Sequence, residues 1–186
     1  MLTLPYTICF CLRDTQVLML YRSYPPNAGR WNGLGGHIEA GETPPESIKR
    51  EVMEEGGIDL DLALELNFTG LVTWATDGDS TRPGGGMYTF VARLAPDFPI
   101  WPDRPIHEGL LSWKPLAWVC DPRNPAIVSN IPQFLPRMLA NPHPQEYCCV
   151  YRRSGLRGVV VRDLSLEGEN LSFPPIITSH SSEKEE

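Results

Sequence analysis

Several things are missing from this sequence, and each absence narrows what it can be. No apolar run is long enough to cross a bilayer, and no stretch with a basic start, an apolar middle and small residues after it opens the chain. Positive charge is scarce: 16 Lys and Arg stand against 23 Asp and Glu, a net charge of −7. That balance argues against a non-specific grip on nucleic-acid backbones, which depends on cationic side chains. The five cysteines are odd in number and lack a C-x-x-C spacing, which argues against a disulfide framework or a zinc site. No internal repeat is present. A cytoplasmic protein without nucleic-acid or membrane partners is expected. Enzymes and sensors for small phosphorylated ligands stay open, because they need only a local cation.

What is present suits one domain. The 186 residues, 41% hydrophobic and 21% charged, are enough for a sizeable core. "YTICFCLRDTQVLMLYRS" reads as two strands around a polar turn at Arg13–Asp14–Thr15. Cys9 and Cys11 then share one strand face, as small core residues. A Pro-, Asn- and Gly-rich loop, "SYPPNAGRWNGLGG", follows. "LNFTGLVTWAT" and "MYTFVARL" read as longer strands around a flexible "DGDSTRPGGG". After the Pro-rich loop "PDFPIWPDRPIHEG", "LLSWKPLAWV" reads as a strand running into a bend. "NIPQFLPRMLA" has the spacing of a short helix that Pro136 kinks or ends early. "QEYCCVYRRS" and "RGVVVRDL" pair as a terminal hairpin. Residues 1–162 are taken as the domain and 163–186 as a disordered tail. The expected class is α/β, a mixed sheet with helices on its faces.

One helix breaks local rules. Thr43 caps it, Pro44 suits its first position, Glu46 completes a T-x-x-E capping box, and Gly56–Gly57 end it. Ile48 and Val52 form its buried stripe. Yet Glu51, Glu54 and Glu55 gather at its C-terminal end. Like charges four apart cost about 0.2–0.5 kcal/mol per pair. Acids in the last turn oppose the helix dipole at about 0.3–1 kcal/mol each. A solvated acidic face, offset by Lys49 and Arg50, is one reading. The other is a site for Mg²⁺ or Mn²⁺, hard cations that bind carboxylates and phosphate oxygens.

The wider stretch "GHIEAGETPPESIKREVMEEGGI", Gly36 to Ile58, favours the second reading. Gly36, Glu42, Arg50–Glu51, Val52, Glu54–Glu55, Gly57 and Ile58 resemble the signature of the Nudix hydrolases at every specified position. The resemblance implies the Nudix fold, an α/β/α sandwich around a mixed β-sheet. It implies divalent-metal-dependent hydrolysis of a nucleoside di- or triphosphate-type diphosphate bond, with a nucleotide as the small-molecule substrate. Carried over residue by residue, it gives Glu51, Glu54, Glu55 and the Gly35 carbonyl as ligands of Mg²⁺ or Mn²⁺. It also gives a Glu42–Arg50 ion pair, a Gly36 that lets the backbone approach phosphate, and a Gly57 that lets the chain leave the helix.

"RWNGLGGHIEAGET" resembles the MutT-type branch, which includes hydrolases of oxidised purine nucleoside triphosphates. This implies reaction to nucleoside monophosphate and pyrophosphate. Asn32 then reads the base edge, or is simply part of an Asn-Gly turn. "HEGLLSWKPL" resembles a later family segment whose acid, here Glu108, binds metal or serves as base; a solvated loop acid is the alternative. Trp113 is read as core. Arg22 either reaches the phosphates or is a surface arginine. His37 stands where many relatives have Lys or Arg, which weakens a phosphate contact at neutral pH. The acidic pair that reads oxidised bases has no clear match, and Asn130 is the polar candidate near its place. The competing class is a Nudix-fold sensor that binds a nucleotide without hydrolysing it, although such domains usually have an eroded signature and a fused partner domain.

Overall fold

The computed structural model describes residues 4–76 and 85–164. The Arg13–Asp14–Thr15 turn, with Asp14 at a φ of 51°, folds β1 (Tyr6–Arg13) back on β2 (Gln16–Arg22). Inside the Gly- and Pro-rich loop, β3 (Trp31–Asn32) pairs with β2, a pairing too short to leave a pattern in sequence. Helix α1 (Pro44–Gly56) and one 3₁₀ turn (Leu60–Leu62) lead to β4 (Glu65–Thr76) and β5 (Gly85–Arg93). The Pro-rich loop carries β6 (Arg104–Ile106), which forms a hairpin with β7 (Gly109–Pro115). The expected bend after β7 is a one-turn helix, α2 (Leu116–Val119).

Helix α3 (Ile131–Ala140) continues past Pro136 without ending there. The proline removes one backbone donor, but Ile131, Phe134, Leu135 and Met138 are all buried on the sheet. Burying four such side chains stabilises by about 1.5–3 kcal/mol each. That exceeds the roughly 3 kcal/mol cost of an interior proline. The hairpin of β8 (Gln145–Arg152) and β9 (Gly155–Asp163) forms as expected. Most of the "DGDSTRPGGG" segment, and the expected tail beyond Leu164, lie outside the described residues.

The strands form one sheet in the order β6-β7-β2-β1-β5-β4-β8-β9, with β3 beside β2. It is mixed: β1 pairs parallel with β5 and β4 parallel with β8, the other pairs being antiparallel. Each face carries its own core, which makes the sandwich. Cys9, Cys11, Leu18 and Leu20 face α1 with Ile48 and Val52. Ile8, Phe10, Val17 and Met19 face α3 with Phe134 and Leu135. A central strand covered on both sides cannot alternate apolar with polar, which explains the unbroken apolar run of β1. Trp113 is core, packed against Trp101 and Phe98. Among the described residues no helix is long and apolar enough to cross a membrane.

Candidate active site

Helix α1 is fastened at both ends. Thr43 Oγ1 accepts from the Glu46 backbone and Glu46 Oε2 accepts from the Thr43 backbone at 2.8 Å, closing the capping box. Gly57 takes the left-handed conformation, φ 65°, and its N–H donates to the Met53 carbonyl. Ile48 and Val52 are fully buried on the sheet. Their burial stabilises by about 1.5–3 kcal/mol each. That outweighs the roughly 0.3–1 kcal/mol per acid lost against the dipole. The helix therefore tolerates its acids because it is held by packing.

Arg50 binds three of the acids together. Its Nε and Nη2 donate to Glu42 Oε1 and Oε2 at 2.7 and 2.9 Å, a bidentate pair tying loop to helix. Its Nη1 donates to Glu51 Oε1 at 2.9 Å and Glu54 Oε2 at 3.3 Å, and Nη2 also reaches the His37 carbonyl at 3.1 Å. The Arg50 guanidinium holds the Glu42 carboxyl below the usual range. The expected Glu42–Arg50 pair is thus present, and Glu51 and Glu54 share its cation.

Glu55 is different. It is 6% exposed, and its Oε2 accepts from the Gly35 backbone N–H at 2.9 Å. Burial first, and then the charges of Glu51 and Glu108, push its carboxyl up to about 8, while the Gly35 N–H and Arg22 oppose the rise. Glu108 and Arg22 are remote from α1 in sequence, yet both lie within electrostatic reach of Glu55. Glu51, half-buried, is also raised by desolvation, against the pull of Arg50. Gly36 has a reason beyond phosphate approach: a Cβ there would stand 2.6 Å from Glu51 Oε1, so a side chain at this position would displace that carboxylate.

A cavity of about 750 Å³ reaches this end of the helix through Gly35 and Gly36, which adjoin Glu55 and Glu51. Arg22, Asn32, Gly36 and His37, the expected substrate-side residues, all line it, as does Gly35, expected as a metal ligand. Arg22 Nε donates to the Pro26 carbonyl at 2.8 Å, and the His37 ring stands edge-on to Tyr6 at 5.3 Å. The opposite wall includes Trp74, Met87, Phe134, Asn130 and Tyr151. The sequence pointed to Asn130 alone of these. Trp74, Met87 and Tyr151 reach the cavity only through strand order, which leaves no local signal.

The NUDIX domain model matches residues 3–138. The chain belongs to the NUDIX family. It is 41% identical over 56 residues to the oxidized purine nucleoside triphosphate hydrolase of Mus musculus, covering 30% of this chain and 36% of that one. It is 36% identical over 87 residues to the uncharacterized Nudix hydrolase YvcI of Bacillus subtilis (strain 168), covering 46% of this chain and 51% of that protein. The chain thus spans about half or less of these relatives' lengths. Its fold resembles that of the MutT protein from Bacillus halodurans, with TM-score 0.63 and 22% identity over 86% of this chain and 97% of that one, a likeness of fold.

The NUDIX acids fit a divalent cation by donor type. They are hard oxygen donors, and ionisation is penalised at Glu55 by burial and the Glu51 charge, and at Glu51 by burial and the charges of Glu54 and Glu42. Among the described residues no three His, Cys, Asp or Glu side chains are already gathered closely enough to hold an ion. Gly35 is engaged through its N–H.

The raised Glu55 carboxyl predicts a stability trend in chelator. Below about pH 4.5, the ordinary glutamate value, Glu55 is protonated in both folded and unfolded chains. Between there and about 8 only the unfolded chain ionises, so stability falls as pH rises through this window. Glu55→Gln removes that dependence. By pH 8 the variant should melt about 5 °C above the wild type, from little difference at pH 5. Parallel melting curves over this range would refute the burial-driven shift.

Proposed function

We propose that this chain is a metal-dependent hydrolase of nucleoside diphosphate-type bonds, of the MutT-like kind, converting a nucleoside triphosphate to monophosphate and pyrophosphate. Oxidised purine nucleotides are among the candidate substrates. The observation that carries this reading is the contact of the nucleotide-sized cavity with the acid cluster, through Gly35 and Gly36. The NUDIX unit is taken as residues 1–162, with the β8–β9 hairpin included. Five free cysteines, four of them buried, fit a cytoplasmic, reducing setting.

Glu51, Glu54 and Glu55 would hold Mg²⁺ or Mn²⁺, with the Gly35 carbonyl and Glu108 as further donors. When bound, the ion neutralises diphosphate oxygens and makes water a better nucleophile. The chain's own residues supply the rest. Gly35 N–H fixes Glu55 Oε2, which orients the carboxylate to take a proton from the attacking water. Arg22 brings a cation to the same end of the cavity, where substrate phosphates carry negative charge. His37 adds a polar ring there, and Asn32 faces the nucleoside part of the substrate. Arg50 acts as a positioning residue, holding Glu51 and Glu54 together.

The test is product analysis with nucleoside triphosphates, oxidised nucleotides and nucleotide sugars, with Mg²⁺ or Mn²⁺, in water labelled with heavy oxygen. Monophosphate and pyrophosphate should appear together, and the labelled product locates the attacked phosphorus. Release of single phosphate as the first product overturns the MutT-like assignment. Nucleotide binding without turnover of any substrate would instead favour the sensor reading.

A further inference from the structure

Glu108 sits in a hairpin that is fastened on two sides. In it Arg104 lies opposite Leu111, Pro105 opposite Leu110 and Ile106 opposite Gly109, which leaves His107 and Glu108 as the turn. One side of that turn is held to β2. The Ser23 N–H donates to the Glu108 carbonyl at 2.8 Å, and the Tyr24 and His107 rings stack at 5.8 Å. Gly109, at a φ of 153°, lies so close to β2 that a Cβ there would stand 1.8 Å from the Tyr21 carbonyl oxygen.

The other side is held to α1, by Arg104. Its Nη2 donates to the Gly56 carbonyl at 2.7 Å and to the Glu55 carbonyl at 3.4 Å. Carbonyls in the last turn of a helix have no partner within it, and a cation there also answers the helix dipole. The last turn of α1 carries no basic residue of its own. The cation comes instead from β6, 48 positions beyond Gly56. Its guanidinium lies 5.3 Å over the Trp101 ring, and Trp101 packs edge-on against Trp113 of β7 at 5.5 Å. Arg104 is itself exposed, so it supplies a link between two elements and little core burial.

We propose that Arg104 is a positioning residue that clamps the β6–β7 hairpin to the end of α1 and so fixes Glu108 relative to Glu55 and Glu51. This rests on the reading of Glu108 as a metal donor or base in the proposed hydrolysis. The acids come from two segments far apart in the chain, and carboxylates of like charge push apart. Something must hold the two segments together. Arg50 does so within α1 and its loop by bonding to the carboxylates themselves. Arg104 bonds only to backbone carbonyls of α1, one of them on Glu55 itself. It therefore joins hairpin to helix and leaves the carboxylate lone pairs free for an ion or a proton.

The experiment is a double-mutant cycle of Arg104→Met and Glu108→Gln in the 186-residue chain, read in two ways. Amide hydrogen exchange across residues 104–109 is followed in chelator, so this readout needs no metal. Turnover of a nucleoside triphosphate is followed in Mg²⁺. Arg104→Met keeps an aliphatic stem over Trp101 and removes the donors. Its hairpin amides should exchange about tenfold faster, the effect of losing one hydrogen bond from a charged group, while those of β1 stay as in the wild type. Its kcat should fall about tenfold with KM within about twofold. In the Glu108→Gln background the same substitution should lower kcat by less than about twofold, because the group it positions is gone. Arg104→Lys should retain most of the wild-type kcat, since a single nitrogen makes both contacts to α1. Hairpin exchange unchanged in Arg104→Met overturns the clamp. Losses of kcat that multiply in the double variant overturn the link to Glu108. Faster hairpin exchange with no turnover by the wild type supports the clamp and defeats the hydrolase reading. Turnover that Glu108→Gln lowers and Arg104→Met does not defeats this proposal and leaves that reading standing.

Discussion

Glu55→Gln is expected to lower turnover by about 10²–10⁴-fold, the range for a group that handles the reacting proton. Glu54→Gln should fall by orders of magnitude as well, because it removes a charge from the same cluster. A chelator should abolish turnover in the wild type, and Mg²⁺ or Mn²⁺ should restore it. The motive is the three acids at one helix end, where Glu55 is almost fully buried and feels the charges of Glu51 and Glu108. Glu108→Gln should also depress kcat strongly with little change in melting temperature. Asp103→Asn is the control: Asp103 accepts a hydrogen bond from Ser112 across the β6–β7 hairpin. Full activity in both Glu54→Gln and Glu55→Gln would sink the roles given to these residues. Equal, small effects at Glu108 and Asp103 would make Glu108 a loop acid only.

The second large effect is expected at Arg50→Lys. The substitution keeps the charge but loses the planar fork. Arg50 spans both oxygens of Glu42 while its third nitrogen reaches Glu51 and Glu54. A lysine ammonium cannot hold all three carboxylates in one geometry. Its side chain is only 23% exposed, so solvent relieves the loss incompletely. Stability should fall by about 2 kcal/mol, read as a lower urea midpoint at unchanged slope. Turnover should fall by about tenfold or more, because misplacing supporting residues loosens the groups they hold. A midpoint and kcat/KM both matching the wild type would mean that charge alone suffices and the fork is incidental.

Local pattern was enough to read much of this protein from its sequence. The capping box at Thr43 and Glu46, the glycine stop at Gly57, the stripe of Ile48 and Val52 and the turn at Asp14 are short-range features, and each is present. The acids at the wrong end of α1 marked the candidate site because they broke a local rule. Packing outweighed propensity at Pro136, which does not end α3 early because the helix buries an apolar face on the sheet. What tertiary structure alone decided is which distant segments meet. Period-two and period-3.6 spacing says which face of an element is buried, not which element lies beside it. The sheet order sets β2, β1, β5, β4 and β8 side by side, so Arg22 and Tyr151 share a cavity although 129 positions separate them (151 − 22). The same long-range pairing brings Glu108 within electrostatic reach of Glu55, where burial and like charge together make that carboxyl hard to ionise.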